Sequence, residues 1–183
     1  MAVASTMLPL GTRAPGFALP DVRTGATVAL ADLTQRAVVV MFICNHCPYV
    51  QRIQSGLVDL GRDYRGKDVA IVGISSNDPL AYPDDAPDEL ARVAEALGYG
   101  FPVLFDESQD VARAYTAACT PDFFVFGPDR ALVYRGQFDD ARPSNAVPVT
   151  GADLRRAIDA VLTGAPVPED QRPSLGCGIK WRS

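Results

Sequence analysis

The stretch from Ala37 to Val50, AVVVMFICNHCPYV, constrains this chain more than any other. Its apolar run with three successive valines suits a strand buried on both faces, predicted over 37–43. Cys44 and Cys47 follow at once, separated by Asn45 and His46. Beyond them Pro48, Tyr49, Val50, Ile53, Leu57 and Leu60 recur at helical spacing, which predicts a helix over about 46–65 closed by Gly66. Asn45 is the expected N-cap, and Pro48 falls in the first turn, where its missing N–H costs little. The cysteine pair therefore sits on a strand-to-helix turn, with Cys47 among backbone N–H groups that lack helical partners.

Such a turn favours thiolate. A free cysteine with a pKa near 8.5 is only about 3% ionised at pH 7. A helix N-terminus favours an anion by roughly 0.3–2 kcal/mol, and a protonated His46 beside it adds to this. Two cysteines spaced C-x-x-C can also close a disulfide, so the turn can store two electrons. Other readings are half of a zinc site and inert core packing. Zinc usually takes four ligands, and beyond the pair only Cys119, Cys177 and the single His46 remain, with no second pair among them. Redox use ranks first, and no metal or other cofactor is expected.

The chain has 183 residues, which suits one domain with a sizeable core. A net charge of −5 with no long basic run argues against a nucleic-acid partner. The longest apolar stretch, Ala37 to Cys44, is far short of the roughly 20 residues that span a bilayer. The N-terminal residues lack the charged and apolar regions of an export signal. A cytoplasmic location is expected, where a C-x-x-C is catalytic or metal-binding rather than structural.

Residues 11–20 read as an extended approach, 21–26 as a hairpin turn, and Thr27, Val28 and Leu30 as a returning strand, with a short helical turn at 31–33. After the central strand and helix, 68–75 is a second β-branched run that completes a βαβ unit. Residues 76–87 read as loop, 88–97 as an amphipathic helix and 103–105 as a short strand. A helix over about 108–116 is expected with Ser108 as its cap. Phe123 to Phe126 and Ala131 to Arg135 form a hairpin preceded by Thr120-Pro121, and 136–150 reads as a surface loop. A last helix runs from Asp153 to Leu162, capped by Thr150 and stopped by Gly164. The tail, 165–183, has linker composition but an apolar end that hints at docking.

The order β, α on a C-x-x-C turn, β, α, then Thr-Pro leading into a hairpin and a final helix, resembles the thioredoxin fold over about residues 11–163. With SSND, FPVLFDE, CTPDFFVF, YRGQFDD and PSLGCGIKW, the chain is similar to a bacterial, peroxiredoxin-like branch of that fold related to alkyl hydroperoxide reductase. The resemblance implies an α/β protein with a central mixed β-sheet flanked by helices, an N-terminal β-hairpin extension at 1–36 and a C-terminal tail at 164–183. It implies that Cys44 and Cys47 are the redox pair of a thiol–disulfide oxidoreductase. Pro121 would be cis, with Thr120 facing the sulfurs. It also implies a disulfide-containing protein or small-thiol substrate and a thiol electron donor. Peroxiredoxin alignment places Cys47-Pro48 at the peroxidatic position with Cys44 in place of a threonine, and leaves the catalytic arginine unmatched near Pro121. On that alignment Cys47 attacks first, and thioredoxin alignment assigns the attack to Cys44. Weak peroxidase activity of Cys47 and binding of copper or zinc are the alternative functions. His46 is a supporting residue, and Cys119 and Cys177 are candidate auxiliary thiols.

Overall fold

The computed structural model describes residues 2–182. The three-valine run becomes β4 (Ala37–Phe42), the middle strand of a five-stranded sheet, and all its residues are buried. β5 (Val69–Ser75) runs parallel to it and β6 (Val103–Phe105) parallel to β5. On the other side β8 (Asp122–Phe126) runs antiparallel to β4 and β9 (Leu132–Gly136) antiparallel to β8, giving the order β6-β5-β4-β8-β9.

Strand alternation divides the core into two layers. Val39 and Met41 pack with Ile53, Leu57 and Leu60 of α1 (Pro48–Asp63), Leu90 of α2 (Pro87–Leu97), and Leu154 and Ile158 of α4 (Ala152–Thr163). Val38, Val40 and Phe42 pack on the opposite face with Val111 and Ala112 of α3 (Asp110–Ala114), with Tyr115, and with Phe17 and Leu30 of the N-terminal segment. Burying each large side chain contributes about 1.5–3 kcal/mol, so the central strand is fixed from both sides. A mixed sheet flanked by helices is the architecture expected.

Two smaller sheets complete the fold. β2 (Ala18–Pro20) and β3 (Thr27–Ala29) form the expected hairpin, followed by a 3₁₀ turn at Leu30–Asp32. β1 (Ala2–Ala4), β10 (Leu175–Gly178) and β7 (Cys119–Thr120) form a three-stranded sheet in the order β1-β10-β7. The segment with linker composition thus supplies a central strand, which periodicity over four residues could not signal.

Several local expectations are corrected. α1 starts at Pro48 with Cys47 as N-cap, because Asn45 turns its side chain to the Asp84 carbonyl instead. α3 is capped by Gln109, whose buried side chain reaches the Ser76 and Lys180 carbonyls and draws its backbone to φ 65°, while Ser108 accepts only a bond from the Asp110 N–H. Gly151, not Thr150, occupies the N-cap of α4. Residues 136–150 are not a plain surface loop: Gln137, Phe138, Asp139 and Ala141 are buried. Asp139 accepts the Thr150 and Gly151 N–H groups at 2.7 Å each, so side-chain bonds replace periodic structure there.

Candidate active site

After β4, Ile43 still donates to the Ile74 carbonyl at 3.0 Å, and the chain then turns through Cys44, Asn45 and His46 before α1 begins. The Thr120-Pro121 bond, at the junction of β7 and β8, is cis, as expected. Thr120 faces both cysteines: its Oγ1 lies 3.1 Å from Cys44 Sγ, and its carbonyl oxygen lies 3.2 Å from Cys47 Sγ. Cys44 and Cys47 are buried, 3% and 0% exposed.

A residue that the sequence did not single out holds this turn. Asp85 lies in the 3₁₀ turn Pro83–Asp85, inside the segment read as loop, and is fully buried. Its Oδ1 accepts the backbone N–H groups of Asn45 at 2.7 Å and His46 at 3.2 Å. Its Oδ2 lies 2.5 Å from His46 Nδ1 and accepts Asn77 Nδ2 at 2.8 Å. Four polar groups thus converge on one carboxylate, and the contact at Nδ1 fixes the orientation of the His46 ring. The Tyr82 ring packs against the imidazole at a tilt of 33°, with ring centroids 4.6 Å apart. In the sequence, Asp84-Asp85 between prolines reads as a solvated turn, and no spacing rule connects it with the cysteines.

The two thiols are electrically unlike. Cys47 is lowered to about 4, first by the hydrogen bond from Cys44, with burial opposing. The Cys177 thiol and the backbones of Val50 and Cys177 lower it further. Cys44 is pushed well above the ordinary thiol range by its hydrogen bond to Cys47, by burial and by the Asp85 carboxylate, with the Thr120 hydroxyl pulling the other way. The helix N-terminus at Cys47 favours a thiolate there, and the buried carboxylate beside Cys44 disfavours one on Cys44.

The remaining thiols differ from each other. Cys119 is buried, its Sγ 3.7 Å from the Pro121 carbonyl, and burial raises its thiol far above the usual range. Cys177 lies on β10, paired in register with Thr120 and partly exposed. Burial, then its bond to Cys47, pushes its thiol up to about 11. Among the described residues, Cys44, His46 and Asp85 place possible metal-ligand atoms within 4.8 Å of one another. The Asp85 oxygens are already engaged by the four donors, so this set serves as a hydrogen-bonded brace for the turn.

Comparisons with known proteins agree with this chemistry. The AhpC/TSA family matches residues 10–135. A Mycobacterium tuberculosis protein that carries a peroxiredoxin name is 33% identical over 114 residues, 62% of this chain and 67% of the relative. The thiol-disulfide oxidoreductase ResA of Halalkalibacterium halodurans is 26% identical over 105 residues, 57% of this chain and 55% of the relative. Among solved structures, an uncharacterised conserved protein from Geobacillus kaustophilus superposes with a TM-score of 0.97 at 56% identity, over 100% of this chain and 97% of that one. The thioredoxin domain of a Bacteroides vulgatus thiol-disulfide oxidoreductase superposes with a TM-score of 0.65 at 20% identity, over 85% and 99%, which shows the thioredoxin-like fold. The fold, the paired thiols and the extent of the family match lead to one conclusion: the chain belongs to the AhpC/TSA family and is a thiol oxidoreductase.

Proposed function

We propose that Cys44 and Cys47 cycle between dithiol and disulfide, with Cys47 as the attacking thiolate and Cys44 as the resolving thiol. The observation that carries this reading is the place of Cys47 at the N-cap of α1, the positive end of the helix, which with the burial of Asp85 beside Cys44 lowers the one thiol and raises the other. Cys47 attacks one sulfur of a substrate disulfide, forming a mixed disulfide and releasing the first substrate thiolate, which takes up a proton. Cys44 then gives its proton to a base, His46 by this assignment, and attacks Cys47 Sγ. The mixed disulfide breaks, the second substrate thiol leaves, and the pair is oxidised. Asp85 positions His46 and the turn. A thiol electron donor reverses the cycle, and the cysteine pattern supports a cytoplasmic setting.

The burial of both cysteines favours a second substrate class, small oxidants that need little surface contact. Peroxide would convert the Cys47 thiolate to a sulfenic acid and release an alcohol or water, after which Cys44 would condense with it to the same disulfide and water.

The test is the reduction potential of the pair, measured by equilibrating the protein with glutathione buffers and trapping free thiols. A two-electron midpoint between roughly −300 and −120 mV, lost in both Cys44→Ser and Cys47→Ser when the mapped Cys44–Cys47 peptide is followed, is the expected result. Failure of wild type to form that disulfide at any poise overturns the reading. Peroxide consumption at a rate above that of disulfide substrates would assign the peroxide branch as the main one.

A further inference from the structure

Neither cysteine of the C-x-x-C pair has appreciable access to solvent, whereas Cys177, a residue outside that pair, is partly exposed. β10 carries it across the site. Its Cα is in register with Thr120, the residue that touches both Cys44 and Cys47. Cys177 packs against the core cluster that contains Cys47, and its thiol and backbone both help to lower the Cys47 thiol. The approach depends on Gly176: a Cβ added there would drive into the Thr120 carbonyl. Close passage of the strand is therefore built into the sequence at this position. Cys119, by contrast, is fully buried, and its thiol is directed to the Pro121 carbonyl.

We propose that Cys177 is a third redox thiol, which takes over the disulfide by attacking Cys47, so that Cys47 alternates between a buried partner and one at the surface. In this step the Cys44–Cys47 bond breaks and a Cys47–Cys177 bond forms. The electron pair of the broken bond goes to Cys44 Sγ, which takes up the proton that Cys177 gives up. The step is an exchange with no net oxidation, so it needs no oxidant beyond the one that first oxidised the pair. It moves the disulfide from a buried position to one that an external thiol donor can approach. The external thiol then attacks Cys177. This proposal rests on Cys47 as the reacting thiolate, assigned above.

The experiment uses the full chain, oxidised with excess oxidised glutathione, trapped and mapped by peptide mass. Cys44→Ser and, to guard against a folding defect from a buried hydroxyl, Cys44→Ala cannot form the C-x-x-C disulfide. Each is expected to lose two free thiols and yield an intramolecular Cys47–Cys177 peptide, with Cys119 free. Partly oxidised wild type is expected to contain both Cys44–Cys47 and Cys47–Cys177 peptides. Glutathione left on Cys47 with Cys177 free in both variants overturns the proposal, as does wild type that contains Cys44–Cys47 alone at every poise. Wild type that contains only Cys47–Cys177 overturns the exchange and, separately, the C-x-x-C cycle itself. Absence of the Cys47–Cys177 peptide thus overturns the role of Cys177, and absence of the Cys44–Cys47 peptide from wild type overturns the C-x-x-C cycle, so the two failures are distinguishable.

Discussion

Cys47 and Asp85 account for most of the chemistry at the scale of single residues. Because the largest influence lowering Cys47 is the hydrogen bond from Cys44, thiolate absorbance should persist at about pH 6 and fade only toward about 4. In Cys44→Ala the midpoint should move upward toward the ordinary thiol range, which a pH titration of the absorbance reads directly. An unchanged midpoint would place the cause in the helix N-terminus alone. Asp85→Asn sets an amide N–H₂ against donors that converge on two oxygens, so at least one buried donor loses its acceptor. A loss of about 2–4 kcal/mol in urea unfolding is expected, together with slower resolution of a Cys47 mixed disulfide because His46 is no longer held. Stability and resolution rate both equal to wild type would remove Asp85 from its positioning role.

At the scale of elements, the least anticipated feature is the tail. Two close approaches hold it to the body. A Cβ at Gly136, whose φ is +150°, would meet the Arg172 carbonyl, the same carbonyl that accepts the Gln137 N–H at 3.0 Å. Four residues farther along the tail, Gly176 lets β10 lie against Thr120. Gly176→Ala should therefore detach β10 at a cost of about 1–3 kcal/mol, the range for overpacking a close contact. Hydrogen exchange at β10 amides should accelerate, and alkylation of Cys47 should speed up as its cover lifts. Unchanged exchange together with unchanged alkylation would show that the strand accommodates the methyl group by a small shift. The start of α1 follows the same logic in reverse: Pro48 suits the first helical position, which leaves Cys47 as the cap at the positive end of the helix.

For the molecule as a whole, Asp122 reports on the stability of the core. It is the first residue of β8, opposite Phe42 at the end of β4, 1% exposed, with Oδ2 lacking a partner among the described residues. Burial raises its carboxyl well above the ordinary range, outweighing the backbone N–H groups of Phe123 and Ala118 that favour the ionised form. The folded chain therefore keeps this proton, while the unfolded chain releases it above about pH 4. Folding takes up a proton, so the stability associated with Asp122 is complete below that pH and declines as pH rises toward the raised folded value. Asp122→Asn mimics the protonated group without this dependence. It should equal wild type near pH 4 and exceed it increasingly up to pH 7–8 in urea unfolding. A gap that stays constant with pH would show that the proton is not retained on folding.

The sequence by itself determined the central strand, the C-x-x-C turn, the helix behind it, the Thr-Pro junction and the fold class, because each is written in neighbouring residues. Apolar runs, helical spacing and turn residues act over a few positions, and β4, α1 and β5 follow from them directly. Only the tertiary structure decided how those pieces become a site. Asp85 meets His46 across 39 positions of chain, and the tail folds back to bring Cys177 to Cys47. A lone aspartate in a turn and a cysteine between two glycines have no local periodicity, and their partners are chosen by burial, which exists only after the chain has closed. The same holds for the division of labour between the two thiols. C-x-x-C spacing makes them a pair, but the buried carboxylate beside Cys44 and the helix N-terminus at Cys47 make them different, and that asymmetry is a property of the folded interior.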